Sequence, residues 1–149
     1  MSPRIIKVVI VVALGAHAVA HVVALWWLAV QAVTGSAGPR VIVSPWIVPG
    51  LAAPSAGAIA SIFWALAAVG FIGAALSLWG VLVPGSAWRQ LAVASSIISI
   101  LGMLFTGAWP GSQSLGMSVF HMGIAMTMNL AALASLLWLH WPPPATLSN

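Results

Sequence analysis

The near absence of charge constrains this chain more than any other feature. Only four of its 149 residues are charged at neutral pH, Arg4, Lys7, Arg40 and Arg89, and it contains no Asp and no Glu. Apolar residues make up 62% of the chain, and the mean hydropathy is +1.16. A soluble domain carries about a quarter charged residues, so this chain cannot cover a surface that faces water. We therefore predict an integral membrane protein.

The missing residue types exclude several classes of function. Without Asp or Glu there is no carboxylate for acid–base catalysis and no oxygen cage for Mg²⁺ or Ca²⁺. Proton relays and cation-coupled carriers usually depend on an intramembrane carboxylate. Without Cys there is no disulfide, zinc–thiolate site or iron–sulfur cluster. Four scattered cations do not form a nucleic-acid surface. We expect no nucleic-acid partner, and the missing residue types favour a non-enzymatic function.

Four apolar stretches are long enough to span a membrane, which takes about 20 residues. They run over residues 8–33, 56–83, 87–108 and 115–139. The first is expected to stay uncleaved, because its apolar run continues well past the signal-peptide-like triplet at 16–18. The sequence thus predicts an all-α fold in which residues 1–149 form a single membrane domain, a transmembrane four-helix bundle.

The connections between the spans have recognisable chemistry. Residues 41–54 are apolar but hold three prolines, so we interpret them as an interfacial segment that lies on the bundle. Ser55 is the expected N-cap of the second helix. Pro84, Gly85 and Ser86 form a tight turn, which makes the second and third helices antiparallel neighbours.

The cations predict the orientation. An even number of spans places both termini on one side, together with Arg4, Lys7 and Arg89, while Arg40 lies opposite. The positive-inside rule then makes the termini cytoplasmic. We expect the inner (plasma) membrane of a bacterial cell as the location. The expected partners are the lipid bilayer and either other membrane subunits or further copies of the chain.

Small and polar residues indicate which helix faces point inward. In the first helix this stripe is Ala13, His17, His21, Ala24, Leu28 and Gln31. In the third it is Ala92, Ser95, Ser99, Gly102 and Thr106, and in the fourth Met117, His121, Ala125, Met128, Ala132 and Ser135. The second helix has two such stripes and is expected to contact neighbours on two sides, or a second copy of the protein. Asn129 lies off the stripe of the fourth helix and is expected to bond between helices.

His17, His21 and His121 are the ionisable residues deep in the predicted membrane region, which makes them candidates for a functional site. One interpretation is structural: each imidazole bonds a polar group of the bundle. A second is a cofactor site for haem b or a chlorophyll-type tetrapyrrole, since imidazole is an axial ligand and a bundle can hold the ring. The stretch from Ala13 to His17 resembles the small-x-x-x-His pattern of bacterial antenna polypeptides.

A third interpretation is a copper or other soft-metal site formed by His21, His121 and Met117, because thioether and imidazole together suit Cu(I). In this and the cofactor interpretation, we predict that His21 and His121 approach each other across the bundle or share a ligand.

The chain has almost no predicted mass outside the membrane, so we expect a non-enzymatic accessory or interaction subunit of a membrane assembly. Two alternatives stay open. One is a histidine-ligated haem or (bacterio)chlorophyll protein. The other is a small pore or carrier for a neutral or anionic solute, with a polar lining of Gln31, Ser95, Ser99, Thr106 and Asn129.

Overall fold

The computed structural model describes residues 2–34, 48, 50, 53–106 and 115–143. These residues form four α-helices: α1 (Pro3–Thr34), α2 (Ala53–Leu78), α3 (Trp88–Thr106) and α4 (Leu115–Leu133). The last of these continues into a π-helical turn, Ala134–Trp138. All four helices are long and apolar enough to cross a membrane. The predicted all-α, four-helix architecture of an integral membrane protein is confirmed.

The first two helices start earlier than predicted. The first helix begins at Pro3, because the Ser2 hydroxyl accepts a hydrogen bond from the Ile5 N–H at 3.4 Å and proline is well tolerated in a first turn. The second begins at Ala53, so Ser55 lies inside the first turn and is not the N-cap. Most of the predicted interfacial segment 41–54 lies outside the described residues, and its role stays a prediction.

The second helix ends at Leu78, before the predicted end at residue 83. Gly80 and Leu82 both have positive φ angles, 65° and 63°, which the α-helical conformation does not allow. The chain then turns back through Pro84, whose carbonyl accepts a hydrogen bond from the Ala87 N–H at 3.0 Å. As expected, α2 and α3 are close neighbours on either side of this turn.

The helices pack unevenly. α2 lies against both α1 and α3, as its two small-residue stripes predicted, and α4 packs mainly on α3. Gly70 and Gly102 mark the closest approaches. A Cβ atom on Gly70 would lie 2.0 Å from the Ser95 hydroxyl, and one on Gly102 would lie 2.6 Å from the Trp64 ring. The backbones of α1 and α4 come close at few points.

The interior consists of two apolar clusters with polar residues between them along the helices. The first cluster is formed by Ile6, Ile10, Leu14, Ala18, Ala67, Phe71, Ala74, Leu78, Trp88, Ala92 and Leu136. The second is formed by Ala24, Trp64, Met103, Met122 and Ala125. On α1, α3 and α4 the buried polar residues lie where one cluster gives way to the other in sequence: His21, the buried serines of α3 and Asn129 fall between members of the two clusters, and His17 lies one turn before His21. The bundle thus has a polar layer in its middle.

Candidate functional site

The polar layer consists of His17 and His21 on α1, Ser99 on α3 and Asn129 on α4. Their exposed fractions are 6%, 0%, 0% and 1%. His17 Nε2 lies 3.1 Å from Asn129 Oδ1, and His21 Nε2 lies 3.0 Å from Ser99 Oγ. The Asn129 amide nitrogen donates to Ser99 Oγ at 2.9 Å and to the Ala125 carbonyl at 3.0 Å. One continuous set of hydrogen bonds therefore joins three helices.

Asn129 fixes the proton on one of the two histidines. Its Oδ1 can only accept, so His17 donates from Nε2. Ser99 Oγ accepts from Asn129 Nδ2 and also shares a hydrogen bond with His21 Nε2, whose direction is set by the His21 tautomer. Hydrogen bonds joined in this way polarise one another and strengthen the set.

The second helix contributes an aromatic wall to the layer. The Phe71 ring meets His17 edge-on at 4.6 Å between centroids and stacks on His21 at 6.0 Å with an interplanar angle of 5°. Trp64 lies 6.4 Å from His21, and the two imidazole centroids are 5.0 Å apart. Sequence reasoning missed Phe71. The available signal was an aromatic residue in mid-helix, far from the interfacial positions that aromatic belts occupy.

The residues predicted to line a pore have different environments. Ser99 and Asn129 belong to the polar layer. Ser95 is buried, but its hydroxyl donates to the Leu91 carbonyl of its own helix at 2.7 Å. The side chains of Gln31 and Thr106 lie outside the described part of the chain, as does that of the predicted metal ligand Met117.

The fourth helix presents a different face from the predicted one. Its buried residues are Met122, Ala125, Asn129 and, in the π-helical turn, Leu136, whereas Met128 is 40% exposed and His121 is half-buried. The predicted stripe through His121 and Met128 is therefore wrong by about one residue. A primary amide facing hydrocarbon loses its hydrogen bonds, while a thioether loses little, so the helix turns Asn129 inward.

His121 stays outside the hydrogen bonds described for the polar layer. Its ring lies 5.9 Å from that of Phe120, and its buried Nδ1 has no hydrogen-bond partner among the described residues. The α4 residue that reaches the α1 histidines is Asn129. The shared site of His21 and His121 stays a prediction.

The Nε2 atoms of both α1 histidines already make hydrogen bonds, His17 Nε2 to Asn129 and His21 Nε2 to Ser99. Phe71 packs directly against both rings. Among the described residues, no group of three or more His, Cys, Asp or Glu side chains is placed to hold a metal ion. The predicted tetrapyrrole and soft-metal sites stay predictions.

Comparison with protein-family models, curated proteins and solved structures finds no match to this chain.

Proposed function

We propose that the chain is a non-enzymatic accessory subunit whose helices associate with other helices of a membrane assembly. The observation that carries this proposal is that the polar layer is closed on itself. The Nε2 atoms of His17 and His21, the hydroxyl of Ser99 and the amide of Asn129 bond one another rather than facing a cavity. Interhelical bonds of this kind hold a bundle together in lipid and specify its packing.

The outer face of α2 is the surface we assign to association. Ile62, Leu66 and Val69 on this face are 62%, 54% and 68% exposed. The small residues Ala58 and Ala65 are exposed on the same helix, close to them in sequence. Small residues among branched apolar ones let a neighbouring backbone approach closely, which is how membrane helices pack without a hydrophobic driving force.

The two alternatives have less support. A haem or chlorophyll group would have to replace Asn129 or Ser99 as the partner of an imidazole. A pore would need polar groups directed at water, whereas the Ser95 and Ser96 hydroxyls donate to carbonyls of their own helix. We retain the predicted orientation, with cytoplasmic termini in a bacterial plasma membrane, as part of this proposal.

Site-specific photocrosslinking in native membranes tests the proposal. A photoreactive residue replaces Ile62 on α2 or, as a matched control, the similarly exposed Val12 on α1 (62% and 63% exposed). We expect a product of discrete mass from position 62 alone, and its mass distinguishes a second copy from another subunit. The product should disappear in Ala65→Trp. Lipid adducts alone at both positions would contradict the proposal.

An optical spectrum of protein purified from cells that supply haem tests the main alternative. We expect no absorption in the haem or chlorophyll range. A Soret band that shifts on dithionite reduction and is lost in His21→Ala would make the chain a haem protein instead.

A further inference from the structure

An apolar groove runs between α1 and α4 on one side of the polar layer. It has a volume of about 310 Å³, and its walls include Val9 and Ala13 on α1 and Ala131, Ala132 and Leu136 on the other side. Apart from the Ser135 hydroxyl and the two tryptophan side chains, the lining is apolar. The backbones of α1 and α4 come close at few points, which leaves room for the groove, although His17 and Asn129 bridge the same two helices.

The size of the groove limits what can fill it. A cavity of about 150 Å³ holds a benzene ring, so this groove admits a longer apolar chain. The groove is therefore wide enough for a hydrocarbon chain.

A cation lies at one end of the groove. Trp88, Trp141 and Pro142 close this end. One terminal nitrogen of the Arg89 guanidinium donates to the carbonyls of Pro142 and His140, and the guanidinium lies 5.5 Å from the centre of the Trp88 ring. A guanidinium has five N–H donors, so others can bond an anion. Tryptophan and arginine at this level are typical of the zone where lipid headgroups lie.

We propose that the groove holds an acyl chain of an anionic phospholipid whose phosphate binds Arg89. The charge balance favours an anionic lipid, because the 149 residues include four cations and no acidic side chain. The planar guanidinium binds phosphate oxygens with paired hydrogen bonds, and basic pockets between membrane helices bind phospholipid headgroups. This assignment concerns a different surface from the α2 face and does not rest on the proposed function.

Filling the groove tests the acyl-chain part. Ala13→Phe places a ring in the groove, and Ala16→Phe is the matched control, since Ala16 is also exposed on α1 but does not line the groove. The proteins are reconstituted in nanodiscs of equal phosphatidylglycerol and phosphatidylcholine, and retained lipid is counted by native mass spectrometry. We expect one retained phosphatidylglycerol in the parent protein and in Ala16→Phe, and an at least five-fold loss in Ala13→Phe.

Removing the cation tests the headgroup part. The Arg89→Gln protein should no longer retain phosphatidylglycerol in preference to phosphatidylcholine. Arg4→Gln, which removes an exposed cation elsewhere, should keep this preference. Arg89→Lys should keep part of the preference for phosphatidylglycerol, because the positive charge remains but the paired N–H donors of the guanidinium are lost. Thermal unfolding of each variant shows whether the bundle is intact. If Ala13→Phe does not fold, Ala131→Phe fills the same groove from the opposite wall.

Three results would overturn the assignment. Equal lipid retention in the Ala13 and Ala16 variants would show that the groove holds no lipid. Retention without headgroup preference in the parent protein would remove Arg89 from the site. A change of oligomeric state in Ala13→Phe, with lipid retention unchanged, would make this face an interface between protein chains.

Discussion

The α2–α3 pair and the α1–α4 pair are built from similar residues but pack in opposite ways. Between α2 and α3, Gly70 lies directly against Ser95, and Gly102 lies directly against Trp64. Between α1 and α4, Ala13, Ala131 and Ala132 are just as small, yet they line an open groove. Small residues thus permit close approach of membrane helices, but a close approach also needs a side chain on the facing helix that fills the space.

The polar layer explains why the α1–α4 pair stays together despite its groove. His17 and Asn129 span the two helices by one hydrogen bond, and Ser99 of α3 anchors Asn129 from the side. The first pair is therefore held by packing, and the second by hydrogen bonds at a single level. Variants that act on one mechanism should spare the other.

The largest effect is expected from crowding the α2–α3 contact. In Gly102→Ala the new Cβ would lie 2.6 Å from two atoms of the fully buried Trp64 ring, which has no room to move aside. Overpacking of this kind costs about 1–3 kcal/mol of unfolding free energy. Unfolding in mixed micelles of dodecylmaltoside and SDS, followed by tryptophan fluorescence, measures it.

The control for this variant is Gly15→Ala on α1, where a Cβ meets nothing within 4 Å. Alanine is favoured over glycine in a helix by about 1 kcal/mol, so this change should be neutral or stabilising. Equal destabilisation by both variants would mean that α2 and α3 are not packed as closely as described.

A smaller effect is expected from breaking the polar layer. Ser99→Ala removes a group that bonds both His21 and Asn129, whereas Ser96→Ala, equally buried on the same helix, removes a bond to the Ala92 carbonyl within α3. We expect Ser99→Ala to cost about 1–2 kcal/mol, because it leaves buried polar groups unsatisfied, and Ser96→Ala to cost less than about 0.5 kcal/mol. The same unfolding assay measures both variants. A larger loss of unfolding free energy in Ser96→Ala than in Ser99→Ala would contradict the hydrogen bonds assigned to the polar layer.

The smallest effect is expected in the groove. Ala131→Leu adds side-chain volume where space exists, so it should change the unfolding free energy by less than about 0.5 kcal/mol. Ala74→Leu, at a fully buried position in the first apolar cluster, should cost about 1–3 kcal/mol by overpacking. Similar losses in the two variants would show that the space between α1 and α4 is packed as tightly as the first apolar cluster.

Much of the fold could be predicted from the sequence because hydrocarbon leaves a chain few options. Helix number followed from the length of the apolar stretches. The buried face of α3 followed from its serines and glycine, and Ala92, Ser95 and Ser99 are all buried as expected. On α1, His17, His21 and Ala24 are buried as predicted, but Ala13 is not part of the core, because it faces the groove.

The rotation of α4 could not be predicted from small-residue patterns. His121 and Asn129 are both polar but lie on different sides of the helix, and pattern alone does not say which one has a partner. The partner is a pair of residues distant in sequence, His17 and Ser99, so the choice depends on tertiary structure. The π-helical turn and the contact of Arg89 with the Pro142 carbonyl likewise depend on how α4 ends against α3.

The α1 histidines hold the bundle together by bonding Asn129 and Ser99. A double-mutant cycle with His17→Ala and Asn129→Ala tests it most directly, with the unfolding free energy measured for the parent, both single variants and the double variant. Interhelical hydrogen bonds in membrane proteins have coupling energies of about 0.6 kcal/mol on average and up to about 1.7 kcal/mol. We predict a favourable coupling within this range. Additive losses, with no coupling between His17 and Asn129, would contradict the account.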